Sequence, residues 1–247
     1  MQTTTYESMY KSEATNWWYR VRRRMVRRVL CAYKKERGAP LKILDVGCGT
    51  GLLLAEMQRY GAVEGVDASP LAVAYCKERG LSNVSVAPAA SLPFPDRSFD
   101  VVTMLDVLEH LEDDRAGAAE AARVLAPGGI AIITVPAFTF LWGVTDVVSH
   151  HYRRYTRPEV RKLVEKAGLR IRYATYFNTL LFPAIALVRL VAKFLRLKPK
   201  SEMNMGGSLG NGVFHAVFSL ESLFIPSLSF PFGVSILLIA HKEPYVV

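Results

Sequence analysis

Residues 43–57 constrain the fold of this chain more than any other stretch. The short apolar run 43–46 predicts a buried parallel strand, and a helix is predicted to begin at Leu52, directly after glycines at 47, 49 and 51. Because glycine has no Cβ, the backbone of such a turn can approach a ligand closely, and the first N–H groups of the helix lie near that ligand. The order strand, glycine turn, helix is the one with which doubly wound α/β proteins hold nucleotide-like ligands.

Length and composition set the outer limits of the prediction. The chain has 247 residues, 51% of them hydrophobic, which suits one large α/β domain. Its net charge of +9 favours an anionic partner, such as a membrane surface, an acidic small molecule or nucleic acid. The three cysteines are scattered, so we expect reduced thiols in a cytoplasmic protein and no metal site. Residues 1–13 are polar, and no run of about 18 uncharged apolar residues occurs, so neither a secretory signal nor a spanning helix is expected.

An acid ends the second predicted strand. Asp67 closes the run 62–67 and lies about twenty residues beyond Gly47, where a carboxylate can accept hydrogen bonds from ribose hydroxyls. Several nucleoside cofactors use such an acid, so Asp67 alone does not separate them. The glycine spacing does, because it reads G-x-G-x-G and lacks the later glycine of the dinucleotide motif G-x-G-x-x-G.

The string Asp-Val-Gly-Cys-Gly-Thr-Gly at residues 45–51 resembles motif I of the class I S-adenosylmethionine (SAM) dependent methyltransferases. Residues 92–102, Leu-Pro-Phe-Pro-Asp-Arg-Ser-Phe-Asp-Val-Val, resemble the type 11 (UbiE/UbiG-like) group of that family. The resemblance covers most of residues 16–177 and the last strand. It implies a Rossmann-like, seven-stranded, mostly parallel sheet with helices on both faces, whose seventh strand enters antiparallel between the fifth and sixth. An NAD(P)-dependent oxidoreductase is the less favoured alternative.

The resemblance also implies which residues hold SAM. They follow the carboxyl ends of the first four strands, and they are Asp45, Gly47, Cys48, Gly49, Gly51, Asp67, Ala68, Ala89 and Asp106. In the family an acid usually follows the third strand and accepts a hydrogen bond from the adenine amino group. Pro88 stands in that place here, so we expect the backbone of Ala89, a polar neighbour or a water to replace the acid.

Two adjacent tryptophans, Trp17 and Trp18, precede a strongly basic helix, while residues 1–15 are expected to be loosely held. One interpretation is that the aromatic pair anchors an N-terminal helix on the core. The other is a lid over the cofactor, because the Trp-Trp string resembles one subgroup of the family in which Tyr19 and Arg22 would close the pocket and Arg22 would pair with the SAM carboxylate. The sequence contains no nucleic-acid-binding motif, so the arginines are not assigned to such a partner.

The segment after the fifth strand is rich in polar and aromatic residues, which is typical of substrate-contacting loops. His151 is the first candidate to take a proton from an acceptor hydroxyl or amine, followed by Tyr155 and His110. The candidates that would contact the acceptor are Trp142, Arg153 and Arg154. For each histidine a purely structural hydrogen bond is the alternative, and a carboxylate acceptor would need no base.

Residues 178–231 are predicted to form a helical hairpin inserted before the last strand, with a mobile glycine-rich joint at 205–212. Its first helix is apolar apart from a basic stripe of Arg189, Lys193, Arg196 and Lys200. Such a helix suits an anionic membrane interface, and packing on the protein core or on a homodimer partner is the alternative. The predicted divisions are therefore an N-terminal cap (1–40), the SAM-binding core (41–177), the hairpin (178–231) and the final strand (232–247).

Together these observations predict an enzyme that transfers a methyl group from SAM to a hydrophobic, lipid-linked or anionic small molecule, with O-methylation favoured. The alternative is a peripheral membrane or complex-forming protein that binds SAM without turnover. Either protein would be cytoplasmic or peripheral at the inner face of the membrane.

Overall fold

A computed structural model describes residues 3–195 and 207–244 of the chain. Seven strands form one sheet in the order β3-β2-β1-β4-β5-β7-β6. The strands are β1 (Leu41–Val46), β2 (Gly61–Asp67), β3 (Val84–Val86), β4 (Phe99–Leu105), β5 (Leu125–Pro136), β6 (Arg170–Phe177) and β7 (Ser235–His241). β7 pairs antiparallel with both β5 and β6, and the other pairs are parallel, which confirms the predicted sheet.

Helices cover both faces of the sheet. They are α1 (Thr3–Ser12), α2 (Trp17–Arg37), α3 (Leu52–Met57), α4 (Pro70–Glu78), α5 (Asp114–Val124), α6 (Val144–Val148), α7 (Arg157–Lys166), α8 (Phe182–Phe194) and α9 (Gly207–Ser222). One apolar core lies between the sheet and α5 and α7, and a second lies between the other face and α2, α3 and α9. The parallel strands β1, β2 and β4 therefore bring their carboxyl ends to one edge, where a ligand crevice is expected.

The N-terminus differs from the prediction. Residues 3–12 form α1, which lies over the turn after β1 instead of being loosely held. The ring of Tyr10 stacks on Tyr75 of α4 with centroids 4.5 Å apart, and the Arg79 guanidinium lies over Tyr10 at 4.3 Å. Single aromatic residues in a polar stretch gave no periodic signal, but together these contacts hold the helix in place.

The inserted segment also differs from the prediction. α9 packs on α2, whereas α8 packs on the turn at residues 139–141, so the two helices do not form a hairpin with a shared interface. Gly207 to Gly212 are helical, although a mobile joint was expected there. Asn211 ties this helix to the start of α2, because its side chain accepts a hydrogen bond from Trp17 N at 2.8 Å and donates one to Thr15 O at 3.0 Å. Arg196, Lys200 and residues 205–206 lie outside the described residues.

Of the helices in the described ranges, none combines the length and the apolar character that crossing a membrane requires.

Candidate active site

One large cavity, of about 1390 Å³, runs along the carboxyl edge of the sheet. At one end its wall contains the glycine turn after β1 and the acid that ends β2; we call this the cofactor end. At the other end the wall contains Glu109, His110 and His151, which we call the histidine end. Helices α1, α2 and α8 form its outer wall.

Three of the five non-glycine residues with positive φ in the described part of the chain line this cavity. Asp106, His150 and Asn178 have φ values of +59°, +56° and +60°, in the left-handed region that side chains rarely adopt, and all three line the cavity. Such conformations cost free energy and persist where the surrounding structure holds a functional geometry. The distribution of strain therefore points to this cavity as the site.

The glycine turn fits a close ligand. Gly47 has φ +73°, and a Cβ added there would lie 2.5 Å from Val107 Cγ2, so only glycine is accommodated. Gly49 has φ +56° and faces Met9 of α1, whose Sδ would be 3.1 Å from an added Cβ. Gly51 was predicted to contact the cofactor, but it is not part of the cavity wall. An added Cβ there would meet Leu81 and Cys76, so Gly51 allows the turn to pack on α4.

Asp67 lines the cavity and already accepts several hydrogen bonds. Its Oδ2 accepts from Gly49 N at 3.0 Å, and its Oδ1 accepts from Ser69 N at 2.9 Å and from the Tyr6 hydroxyl at 3.2 Å. Burial raises the pKa of Asp67, and the backbone hydrogen bonds oppose the shift. The hydrogen bond from Tyr6 shows that this carboxylate can receive a hydroxyl donor.

Asp45, on β1, and Cys48, within the glycine turn, also line the cavity. Burial raises the pKa of Asp45 to about 7, although the hydrogen bond from Thr103 and the charge of Arg22 lower it. The Sγ atoms of Cys48 and Cys76 are 3.9 Å apart, so they are reduced thiols. Their mutual hydrogen bond and burial raise the pKa of Cys48, which makes it an unreactive wall residue.

Arg22 reaches from α2 into the cavity, where its Nη1 pairs with Asp106 at the end of β4. Its buried Nε has no hydrogen-bond partner among the described residues. A buried guanidinium N–H without an acceptor suits a ligand carboxylate. Tyr19, also in the wall, lies beneath this guanidinium, 5.5 Å from ring centroid to Cζ.

The tryptophan pair packs into an aromatic cluster. Trp18 stacks on Phe177 and Phe218, each at a centroid distance of 5.6 Å, and Trp17 meets Phe214 at the same distance. Both tryptophans also line the cavity. The two interpretations of this motif are therefore compatible, because the aromatic pair anchors α2 while the next turn of the helix presents Tyr19 and Arg22 to the cavity.

The predicted contacts after β2 and β3 are also in the wall. Ala68 follows Asp67, and Ala89 lines the cavity together with Ala87, while Pro88 between them does not. The three residues directly after β3 are Ala87, Pro88 and Ala89, so no carboxylate stands in that position.

The histidine end is organised by a residue that sequence reasoning left without a role. Asp146, fully buried, bonds to His151 Nδ1 at 2.8 Å and accepts hydrogen bonds from Arg154 at 2.8 and 3.0 Å. Burial alone would raise the pKa of Asp146, but the hydrogen bonds from His151 and Arg154 outweigh it and hold the pKa at about 2. With Nδ1 bonded to a carboxylate, His151 keeps the lone pair of Nε2 available.

His110 and Glu109 complete this end. The rings of His110 and His151 meet edge to face with centroids 4.6 Å apart. Burial and the charge of His151 lower the pKa of His110 to about 4, so His110 is neutral at pH 7. Glu109 is 0% exposed, and burial and the charge of Asp106 raise its pKa well above the usual range. Neither carboxylate oxygen of Glu109 has a hydrogen-bond partner in the described chain.

Of the predicted acceptor or catalytic residues, Tyr155, Trp142 and Arg153 lie outside the cavity wall, and the side chains of Tyr155, Arg153 and Arg154 bond to other parts of the protein. The Tyr155 hydroxyl donates to Asp114 at 2.9 Å, burial raises its pKa, and the residue lies outside the cavity wall, which argues against catalysis. Trp142 and Arg153 are also outside the wall, and Arg153 donates to Glu112 O at 2.6 Å. Arg154 lines the cavity, but its guanidinium is bonded to Asp146 and to Ala137 O at 2.9 Å. It supports the loop rather than an anionic acceptor.

Sequence reasoning missed five wall residues or supports: Tyr6, Met9, Glu109, Asp146 and Asn178. Asp146 could have been found from its spacing to His151, since both lie in one polar loop. Asn178 is 1% exposed, and its side-chain oxygen and nitrogen have no partners within the described ranges. Its position directly after β6 is the one available signal.

Fold and site together define a class of protein. A doubly wound sheet with a glycine turn, an acid on the neighbouring strand and an unpartnered arginine N–H at the same edge forms a site for a nucleoside cofactor that carries a carboxylate. The Cβ-free turn, the Asp67 carboxylate and Arg22 Nε all fit SAM.

Comparison with known proteins places the chain within this class. A family model described as a methyltransferase domain matches residues 44–133. A ubiquinone biosynthesis O-methyltransferase of Dinoroseobacter shibae is 31% identical over 59% of this chain and 68% of its own length. A demethylmenaquinone methyltransferase of Tropheryma whipplei is 33% identical over 54% of this chain and 57% of its own. The chain spans between 57% and 68% of the lengths of such curated relatives.

A crystal structure of a SAM-dependent methyltransferase of Thermotoga maritima superposes with a TM-score of 0.63, covering 97% of this chain and 96% of that one at 16% identity. At this identity the likeness confirms the fold alone. Taken with the family model and the relatives, it leads to one conclusion: the chain belongs to the class I SAM-dependent methyltransferases, and its cofactor is SAM.

Proposed function

We propose that this protein transfers the methyl group of SAM to an oxygen of a hydrophobic or lipid-linked small molecule. The observation that supports this most strongly is the continuity of the cavity, which joins the glycine turn to two histidines and to apolar residues of α8. A volume of about 1390 Å³ exceeds the range of roughly 300–1,000 Å³ that is usual for a single small-molecule site. Cofactor and acceptor can therefore be held together.

At the cofactor end, Asp67 would hold the ribose hydroxyls, and Arg22 Nε would hold the carboxylate. When bound, SAM supplies an electrophilic methyl on a sulfonium, whose S–C bond breaks as the acceptor's O–C bond forms, leaving S-adenosylhomocysteine. The protein's own contribution is to align the acceptor with this methyl and to exclude water from it. Helices α1 and α2, which cover the turn, supply that exclusion.

At the histidine end, the acceptor's polar group would lie against His110 and His151. Asp146 fixes the ring of His151, so Nε2 is positioned to receive the proton of an acceptor hydroxyl and pass it to solvent. His110, held neutral by burial, shapes the same wall without adding charge. This arrangement favours a hydroxyl over a carboxylate acceptor, which would need no proton acceptor.

The apolar part of the acceptor would leave the cavity along α8. Ile185, Val188 and Val191 line the cavity, and the last two are 51% and 44% exposed, so the cavity reaches the surface between apolar side chains. Two relatives are named for ubiquinone biosynthesis and for demethylmenaquinone. These names support a quinone-type acceptor class.

Transfer of isotopically labelled methyl from SAM to a bacterial lipid extract, read by product mass, tests the proposal. Wild-type protein is expected to label a hydrophobic product, and His151→Ala to slow labelling by roughly 10²–10⁴-fold, as for loss of a general base. His215→Ala, on α9 outside the cavity wall, is the matched control. SAM binding without any labelled product would instead support the alternative, a SAM-binding protein without turnover.

We also propose that α8 contacts an anionic membrane surface. Its outer face exposes apolar residues, including Leu187 at 63% and Phe194 at 86%, beside the exposed cation Lys193. An apolar face with a basic edge on a protein of net charge +9 suits an interface of anionic lipid. Leu187 also lines the cavity, so a lipid-linked acceptor could enter directly from the bilayer.

A further inference from the structure

The histidine end contains three groups that are typical metal ligands. Glu109 and His110 come from the turn at Leu108–His110 after β4, and His151 follows α6. One ligand atom from each of the three lies within 4.8 Å of the other two. Spacing along the sequence gave no hint of this cluster, because the turn and the loop are brought together only by the sheet.

Glu109 provides an independent reason to expect a cation. It is 0% exposed and lines the cavity, and neither of its carboxylate oxygens has a hydrogen-bond partner in the described part of the chain. Arg22 and Arg154 act on it through their charges, yet Arg22 donates a hydrogen bond to Asp106, and Arg154 donates hydrogen bonds to Asp146 and Ala137 O. A buried carboxylate that accepts no hydrogen bond is costly unless a proton or a metal ion satisfies it.

We propose that Glu109, His110 and His151 bind one divalent transition-metal cation at the acceptor side of the cavity. Two imidazole nitrogens and one carboxylate oxygen are a donor set for Zn²⁺, Fe²⁺, Mn²⁺ or Co²⁺, whereas Mg²⁺ and Ca²⁺ take oxygen ligands. Three protein ligands leave at least one coordination position open, and Glu109, His110 and His151 all line the cavity, into which that position can face.

The surroundings of His151 match those of a metal-binding histidine. Such a histidine usually gives its second ring N–H to a carboxylate, which fixes the tautomer and raises the basicity of the ligating nitrogen. Asp146 does this here, at 2.8 Å from Nδ1, and is itself held by Arg154. The imidazole orientation is therefore set in advance of ligand binding.

The size of the cluster is close to that of a coordination sphere. Ligand atoms around a tetrahedral zinc ion, at bond lengths of about 2.0 Å, are about 3.3 Å apart. Atoms within 4.8 Å of one another reach this spacing through small side-chain rotations.

The chemical role of the cation rests on the proposed function. An acceptor hydroxyl in the open position would coordinate through oxygen and become more acidic. Its proton would leave to water, and the metal-bound oxygen would form the bond to the methyl carbon while the S–C electron pair stays on sulfur. His151 would then bind the cation through its Nε2 lone pair. The cation, and not the imidazole, would promote deprotonation of the acceptor hydroxyl.

Calorimetric titration of the chelator-treated full-length protein with Zn²⁺, and absorption spectroscopy with Co²⁺, test the site without SAM or acceptor. Wild-type protein should bind one equivalent and give the visible Co²⁺ bands of nitrogen and oxygen ligands. We expect Glu109→Gln, His110→Ala and His151→Ala to weaken Zn²⁺ binding at least 100-fold, and Asp146→Asn to weaken it 10- to 100-fold. His215→Ala, which removes a histidine elsewhere, should bind like wild type.

Thermal melts of the metal-free variants establish whether each is folded. If an alanine variant is unfolded, the metal affinity of Glu109→Gln, which keeps the side-chain shape, decides the test. The proposal is overturned if wild type takes up no Zn²⁺ or Co²⁺, or if Glu109→Gln binds them as wild type does. Because neither titration involves methyl transfer, a failed metal titration leaves the proposed function intact. A protein that binds metal but transfers no methyl group would contradict the proposed function and leave the metal-site proposal unaffected.

Discussion

Asp67 is the residue on which SAM binding is expected to depend most. It joins the turn after β1 to the start of α4 and presents its carboxylate at the cofactor end. Hydrogen bonds to a charged group contribute about 1.5–3 kcal/mol, so Asp67→Ala should weaken SAM binding by roughly 10- to 100-fold in calorimetry. Glu64→Ala, on the same strand but exposed, is the control and should bind SAM like wild type. Equal SAM affinity in both variants would show that Asp67 does not contact the cofactor.

Asp45 makes stability depend on pH. Its carboxyl is buried on β1 with Thr103, Arg22 and Asp67 as neighbours, and burial raises its pKa from 3.8 to about 7. Between these values the folded protein holds a proton that the unfolded chain has lost, so the free energy of unfolding falls as pH rises from about 4 to 7. Below about pH 4 the Asp45 carboxyl is protonated in both states and does not lower the free energy of unfolding. Above about pH 7 it is ionised in both states, and its destabilising effect has reached its full size.

Asparagine cannot titrate, so Asp45→Asn should remove this decline in the free energy of unfolding. Urea unfolding at intervals from pH 4.5 to 8 measures the effect as the difference in free energy between wild type and variant. The difference should shift steadily in favour of the variant up to about pH 7 and then remain constant. A difference that is flat across this range would show that the Asp45 carboxyl titrates normally.

At the scale of elements, α1 determines access to the cofactor end. Met9 faces Gly49, and the Tyr6 hydroxyl occupies Asp67 Oδ1, so the helix must shift before a ribose can reach this carboxylate. Removing residues 1–12 should therefore increase both the association and the dissociation rates of SAM in stopped-flow fluorescence. Tyr10→Ala, which loses the stack on Tyr75, should change both rates in the same direction by less. Unchanged rates in the truncated protein would show that α1 does not control access.

Helix α8 gives a second prediction at this scale. Replacing both Leu187 and Phe194 with glutamate removes two large exposed apolar side chains and adds negative charge. Binding to vesicles of phosphatidylglycerol and phosphatidylcholine should fall at least about tenfold in co-sedimentation. Val86→Glu, which changes an exposed apolar residue on the edge strand β3, is the matched control and should bind like wild type. Equal binding by all three proteins would exclude α8 as the membrane contact.

For the whole molecule, the sheet could be predicted from the sequence because its signals are local. Apolar runs bounded by glycine, proline and acid mark each strand, and the resemblance supplied the antiparallel position of β7. Gly47, Gly49 and Asp67, which line the cavity, could be placed at its edge for the same reason, since the glycines follow β1 within three residues and Asp67 ends β2.

The remaining features depend on contacts between segments distant in the sequence. Asn211 ties α9 to residues 15 and 17, and Tyr10 holds α1 on α4. Asp146 has a role only because the loop after β5 folds back on itself, and Glu109 gains importance only from its complete burial. Local sequence patterns cannot reveal such contacts. The sequence therefore singled out His110 and His151 as separate candidates, but it did not indicate the roles of Asp146 and Glu109.

Diffraction from crystals grown with S-adenosylhomocysteine tests the central claim most directly, namely that one cavity holds the cofactor beside an acceptor site. The ligand should lie with its ribose hydroxyls at Asp67 and its carboxylate at Arg22, leaving the space beside His110 and His151 open. Ligand that fills the histidine end, or a cofactor end that stays empty at saturating concentration, would contradict the account.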